Sequence, residues 1–329
     1  MEKIRVLSGM RPTGKLHLGH LLGAIQNWLW LQSQEQYECF FMMADWHALS
    51  TAFRESEHIA QNTIEVATDY MAAGLDPEKV TFYIQSHVPQ IAELFVLYAM
   101  ITPTAWVTRV PSYKGQIREL GDDIDTYGFL GYPVLMACDI LAFKAERVPV
   151  GQDQVPHLEL TREMLRRFHY IFGKEIFPEP EALLTKTPLV PGIDGRKMSK
   201  SYNNAILISD EPDVIRTKIK SFFTDPQKIH MGDPGHPEGC PVFFYQGLYN
   251  KDKVEEIERD CKGGKLGCVA CKKELAENLI REIAPIQEKR KELESRPDFV
   301  KEVLFSGGEI ARKVAEETLK EAREVVNLL

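Results

Sequence analysis

The sequence predicts an α/β protein, a doubly wound parallel sheet followed by an all-helical C-terminal domain, on three observations. Up to about residue 195, short apolar runs alternate with longer amphipathic segments, as a parallel sheet covered by helices requires. The first apolar run, Ile4 to Leu7, feeds a glycine-bearing turn, Ser8 to Gly14, and then an apolar-periodic segment with Leu21, Leu22, Ile25 and Leu29. That order presents a helix N-terminus to a phosphate. Past Ser201 the alternation stops and only helical spacing remains.

Taken in order, the predicted strands are Val6 to Ser8, Cys39 to Ala44, Thr81 to Gln85 and Val148 to Gly151. Ser56 to Met71 is predicted as a helix, because Gly74 and Pro77 form a stop signal just beyond it. Residues 109 to 127 are charged and weakly periodic, the pattern of an exposed insertion. The later helices are Asp213 to Phe223, Val242 to Tyr249, Lys272 to Leu293 and Glu309 to Leu328, with Pro285 expected to kink or divide the third. A boundary between residues 195 and 205 gives a Rossmann-like domain over 1–200 and a helical domain over 201–329. Ligands of such sheets gather beyond the carboxyl ends of the strands. The turn at His17 and His20, Asp45-Trp46-His47 and Gly151-Gln152-Asp153-Gln154 all fall there.

With 329 residues, 44% hydrophobic and 27% charged, the chain can bury a large core. It has no apolar run of spanning length, and charges stand where a signal peptide needs an apolar stretch, so a cytoplasmic protein without membrane association is expected. The net charge of −8 gives no overall attraction to nucleic acid, and a polyanion must be met by a local basic surface.

His17-Leu18-Gly19-His20, read alone, is a phosphate cradle or an ordinary helix start. Lys197-Met198-Ser199-Lys200-Ser201, after Gly192 to Gly195, offers two ammonium groups and two hydroxyls on a loop. In that order the two stretches resemble the signature motifs of class I aminoacyl-tRNA synthetases. The resemblance implies amino acid activation with ATP and Mg²⁺, with His17, His20, Lys197 and Lys200 as catalytic groups. It implies ATP contacts from Arg11, Thr13, Gly19, His20, Gly151, Asp153, Lys197, Met198 and Ser199, with Lys114 reaching phosphate from the insertion. Imidazoles and backbone amides suit the charge that develops on the phosphates. The two lysines would meet the β- and γ-phosphates on a loop that closes over ATP, and the nucleotide would carry the Mg²⁺.

Residues 4 to 202 resemble the tryptophanyl and tyrosyl branch of that class, and Tyr132-Pro-Val-Leu-Met136-Ala-Cys-Asp139 matches its specificity segment. By that resemblance Tyr132 and Gln154 hold the substrate ammonium, and Asp139 accepts the hydrogen bond of the substrate ring. An indole nitrogen is only a donor, so a carboxylate suits it. Tyrosyl members usually carry a tyrosine at the position of Leu7 and a glutamine at that of Met136, whereas both are apolar here. L-Tryptophan and its tRNA, tRNA(Trp), are therefore the expected substrates, with Leu7, Gly9, Tyr132, Met136, Asp139 and Gln154 as the amino acid site. Asp45 and His47 resemble a further motif of the branch, of structural or functional meaning. Homodimerisation through the catalytic domain is also implied.

Cys240, Cys261, Cys268 and Cys271 form a C-x20-C-x6-C-x2-C set in the helical domain, a metal-binding composition with only one short knuckle. It resembles a subset of the tryptophanyl branch that carries a [4Fe-4S] cluster, which ranks ahead of Zn²⁺ and then of disulfides. Residues 261 to 296 hold nine Lys and Arg against six Glu, a local basic excess suited to an anticodon. Two other classes compete. A nucleotidyltransferase would share the His17 turn but leave Lys197 to Ser201 unexplained. A metal-stapled RNA-binding protein would activate no amino acid.

Overall fold

The structure, a computed structural model, describes residues 3–184 and 189–328, without the side chains of Ser112, Lys114, Gln116, Glu119, Leu120 and Asp122. Five parallel strands form one sheet in the order β3-β2-β1-β4-β5: β1 Ile4–Met10, β2 Tyr37–Met43, β3 Thr81–Ile84, β4 Arg147–Val150 and β5 Glu181–Leu184. The central strand β1 runs in register with β2, Val6 opposite Cys39 and Gly9 opposite Met42. Strand order reverses between β1 and β4, which are neighbours in the sheet but far apart in the chain, and there the loops splay apart to leave a crevice. This is the doubly wound arrangement expected from the sequence.

The four predicted strands each lie within a residue or two of an observed one. The fifth escaped because Glu-Ala-Leu-Leu is a run of good helix formers, and pairing with β4 overrides that preference. The helices in chain order are α1 Leu18–His20, α2 Gln26–Gln32, α3 Asp45–Ala52, α4 Ile59–Ala72, α5 Gln90–Ile101, α6 Thr104–Val107, α7 Pro111–Leu120, α8 Tyr127–Ala142, α9 Val155–Phe172, α10 Pro212–Lys220, α11 Pro241–Tyr249, α12 Val254–Lys262, α13 Cys268–Glu294 and α14 Pro297–Val325. A π-helical turn, Leu21–Ile25, joins α1 to α2. Several helices open on a proline at the first position, where its missing N–H costs nothing. Gly74, at φ +105°, ends α4 as its sequence position foretells. The predicted insertion at 109–127 is helical in part, as α7. Pro285 does not divide α13. The last helix starts a full three turns before its predicted start at Glu309, because Gly307 and Gly308 sit inside it.

The chain forms two compact units that are not contiguous in sequence: Met1–Gly14, Ala24–Lys186 and Leu293–Leu329 make the first, and Lys15–Gly23 with Thr187–Glu292 make the second. A single boundary near residue 200 thus differs from the units in two places. The His17 turn clusters with the later helices, and α14 clusters with the sheet. In the sheet unit, α14 packs on β3 at Gly307, where a Cβ would stand 1.8 Å from the Phe82 carbonyl oxygen. Arg323 closes its far end with two 2.6 Å hydrogen bonds to Glu93. The core between sheet and helices gathers Leu7, Phe40, Tyr83, Phe143, Val148 and Phe168, all buried.

Candidate active site

In the sheet unit the carboxyl ends of β1 and β4, with α3, α8 and the start of α9, enclose a cavity of about 370 Å³. The predicted amino acid site converges there: Leu7, Gly9, Tyr132, Met136, Asp139 and Gln154 all line it, as do Arg11 and Gly151. Gly9 is required by close approach, because a Cβ would stand 2.4 Å from the Met42 side chain. Asp153 is exposed and accepts a 2.9 Å hydrogen bond from Gln154 Nε2. Arg11 Nη1 donates to Thr51 Oγ1 at 3.3 Å, and Thr13 N to the Arg11 carbonyl at 2.8 Å. The side chain of Lys114 lies outside the described residues.

Asp139 is fully buried on α8, one face of a helix that is otherwise apolar. Gln85 Nε2 donates to both its oxygens, at 2.8 and 3.0 Å, and His47 Nε2 stands 2.9 Å from Oδ2. Gln85 Oε1 in turn accepts the His47 backbone N–H at 3.4 Å, which fixes which end of the amide faces the acid. Burial raises the pKa of Asp139, and the hydrogen bonds from His47 and Gln85 oppose that rise. Oδ2 thus meets both Gln85 and His47, while Oδ1 meets Gln85 and keeps a lone pair. Asp45 has a different role: its Oδ1 accepts the backbone N–H groups of Trp46 and Ser86, tying the start of α3 to the end of β3.

Gln85 and His157 were missed from the sequence. Gln85 ends a strand with no motif around it. His157 lines the cavity with its Nε2 3.3 Å from the Tyr132 hydroxyl, and its only sequence signal is a position three residues after Gln154.

The second unit brings the two signature stretches together. His17 pairs with Leu207 in an antiparallel bridge, Leu18 N donates to the Ile206 carbonyl and Ile208 N to that of Leu16, both at 2.9 Å. Residues 16–18 are therefore laced to the chain that leaves Lys197–Ser201. Lys200 Nζ donates to the Lys15 carbonyl at 3.2 Å, and Met198 is buried. Buried Asn204 holds the loop: its Oδ1 accepts Ser199 N–H at 2.8 Å, and its Nδ2 donates to Asp194 at 2.8 Å and to the Lys197 carbonyl at 3.1 Å.

The two imidazoles lie against each other, their centroids 3.7 Å apart and their planes tilted by 30°. Gly19 permits this, since a Cβ there would stand 2.8 Å from the His17 ring. Burial, and then the charges of Lys200 and Lys197, depress the pKa of His17 to about 4. Burial, with His17 and the same lysines, holds that of His20 well below the usual range. Both rings are neutral at pH 7. His20 Nδ1 accepts the His17 backbone N–H at 3.2 Å, so its proton is on Nε2, which is left as a donor.

The four clustered cysteines belong to the same unit: Cys240 caps α11, Cys261 lies in α12, and Cys268 and Cys271 open α13. None of the six cysteines is paired in a disulfide. Burial raises the pKa of Cys240, of Cys261 and of Cys271, the last to about 11, and their sulfurs act on one another electrostatically. Gln246 Nε2 lies 3.4 Å from the Cys271 sulfur. Among the described residues no group of three or more His, Cys, Asp or Glu converges as a single metal ion requires.

A doubly wound parallel sheet, a cavity at its crevice with one buried acid, and paired imidazoles laced to a lysine loop agree with a class I tRNA synthetase. Residues 1–284 match the family described as tRNA synthetases class I (W and Y). The tryptophan–tRNA ligase of Thermotoga maritima is 46% identical and that of Aquifex aeolicus 44% identical, each across 99% of this chain and 100% of the relative. The solved tryptophanyl-tRNA synthetase of Campylobacter jejuni, complexed with ADP and tryptophan, superposes with a TM-score of 0.88 at 34% identity, over 99% of this chain and all of that one. A tyrosyl-tRNA synthetase of Archaeoglobus fulgidus, 23% identical with a TM-score of 0.69, shares the fold. The chain belongs to the tryptophanyl-tRNA synthetase family.

Proposed function

We propose that the sheet unit's cavity takes the indole of L-tryptophan, with Asp139 accepting its N–H and with Tyr132 and Gln154 meeting its ammonium. The activity is that of a tryptophan–tRNA ligase, which activates L-tryptophan with ATP and passes the acyl group to the cognate tRNA. The observation that carries the substrate assignment is the fully buried Asp139, in a cavity whose nearby wall includes apolar Leu7 and Met136. A tyrosine hydroxyl buried without its full set of partners there costs about 1–3 kcal/mol, whereas an indole gains from the apolar walls.

In the first step a substrate carboxylate oxygen attacks the ATP α-phosphorus, the bond to the β-phosphate oxygen breaks, and pyrophosphate leaves. The Nε2–H of His20 and the imidazole of His17 donate to the phosphates as neutral groups, and each well-placed donor of this kind contributes about 2.7–4 kcal/mol. Neutral rings beside two lysines avoid the repulsion that two imidazolium ions would add. Lys197 and Lys200 supply the positive charge, and Lys200 exchanges its contact with the Lys15 carbonyl for a phosphate oxygen. Mg²⁺ would come with the nucleotide, held chiefly by its phosphates. Arg11, Thr13, Gly19, Gly151, Asp153, Met198, Ser199 and Lys114 complete the nucleotide contacts in this reading. In the second step a hydroxyl of the tRNA's terminal ribose attacks the acyl carbon and AMP leaves.

Cys240, Cys261, Cys268 and Cys271 suit a [4Fe-4S] cluster better than Zn²⁺. The spacing C-x20-C-x6-C-x2-C, with only one short knuckle where zinc ribbons usually have two, supports that order. When bound, the cluster would pin α11, α12 and the start of α13 and draw the protons from thiols that burial keeps protonated. The basic run over 261–296 would meet the anticodon. A homodimer is favoured by the exposed apolar Val96, Met100 and Tyr127 and by a second hollow lined by Trp46, Leu49, Phe53 and Phe95. Among the described residues no helix is long and apolar enough to cross a membrane, and the reading places the enzyme in the cytoplasm. The test is charging of a tRNA(Trp) transcript with labelled tryptophan. ATP-dependent charging is expected, and RNA binding without charging would leave only the binding-protein reading.

A further inference from the structure

His157 is 1% exposed and lines the tryptophan cavity, yet no signature stretch contains it. Its place follows from helix geometry: α9 begins just after Gln154, and three residues on the chain returns to the same face. Thr161 Oγ1 donates to the His157 carbonyl at 2.9 Å, and the His157 and Tyr132 rings lie 5.4 Å apart at 56°. We infer that His157 is a positioning residue for substrate binding, which accepts the Tyr132 O–H and thereby turns the phenol oxygen's lone pairs toward the substrate, making the pocket selective for a protonated α-amine.

The inference rests on the reading that Tyr132 meets the ammonium. An ammonium carries donors and no acceptor, so the oxygen facing it must accept. A phenol hydrogen turned into the cavity would set donor against donor. A neutral imidazole offers one acceptor nitrogen, and Nε2 of His157 is the one within reach of that hydroxyl. Burial, and then the nearby His47, hold the pKa of His157 at about 4, so the ring is neutral at working pH and keeps one acceptor nitrogen. Packing alone would make His157 matter equally to every ligand of the cavity. Orientation of Tyr132 makes it matter only to ligands with an amine.

The experiment compares the dissociation constants of L-tryptophan and of indole-3-propionic acid, which lacks the amine, in full-length Tyr132→Phe, His157→Leu, His157→Gln and the Tyr132→Phe/His157→Leu double variant. Tyr132→Phe is expected to cut the preference for tryptophan by about tenfold, the loss of one hydrogen bond to a charged group, and His157→Leu by about threefold or more. His157→Gln, whose amide oxygen can accept the phenol, should restore most of the preference, and the double variant should fall no further than Tyr132→Phe. His157→Asn, polar but too short to reach, replaces the leucine variant should that one not fold. An unchanged preference in His157→Leu or His157→Asn, with Tyr132→Phe impaired, overturns the inference. An unchanged preference in Tyr132→Phe overturns the Tyr132 reading itself and the inference with it.

Discussion

Asp139 has both carboxylate oxygens engaged by Gln85 and His47, so the side chain that replaces it matters more than its size. In Asp139→Asn the amide NH₂ stands against Gln85 Nε2 in either orientation, donor against donor, and the indole N–H loses its charged acceptor. Tryptophan kcat/KM in pyrophosphate exchange should fall by about 100-fold, with KM for ATP within about twofold. Asp139 was legible because Tyr132 to Asp139 forms a recognisable segment. Its partner His47 was ambiguous and Gln85 invisible, since hydrogen bonds between residues 92 and 54 positions apart leave no local pattern. The neutral histidines carry a second prediction. The unfolded chain takes up protons below about pH 6.5, whereas folded His17 and His157 refuse them until about pH 4. Their contribution, on the order of 3 kcal/mol each, is present above pH 6.5 and lost as pH falls toward 4. Urea unfolding at pH 7, 6, 5 and 4.5 should show that decline, and a flat profile would contradict it.

Between residue and whole stand the elements that hold the site in shape. Helix α14 lies against β3 with no room for a side chain at Gly307, so Gly307→Ala must push the helix from the sheet. We expect destabilisation of about 1–3 kcal/mol in denaturant titration, against near neutrality for an alanine at exposed Glu309. Asn204 acts on the lysine loop in the same local way. Asn204→Ala removes the acceptor of Ser199 N–H and the donor to the Lys197 carbonyl, and should raise KM for ATP several-fold while leaving KM for tryptophan unchanged. Equal changes in both would assign Asn204 to general stability. Four of the five strands were legible because their apolar runs are bounded by turn residues. The edge strand β5 and the early start of α14 were not, since pairing and packing there override helix-forming side chains in one case and a glycine pair in the other.

At the scale of the molecule the sequence reads as two halves in series, while the chain folds as two interleaved units. A linear reading cannot see that His17 and Lys197–Ser201 are joined by the pairing of residues 16–18 with 206–208, although it does pair the motifs chemically. Iron and acid-labile sulfide in anaerobically purified protein, with a visible absorption band bleached by dithionite, are expected from the cysteine set. Stoichiometric zinc without iron would assign it to a single ion instead. The central claim is that buried Asp139, in a cavity also lined by apolar Leu7 and Met136, makes the pocket one for indole. Pyrophosphate exchange with tryptophan and with tyrosine, on the same preparation, tests it most directly. The predicted result is a kcat/KM for tryptophan larger by about two orders of magnitude or more, and equal or greater exchange with tyrosine would contradict the account.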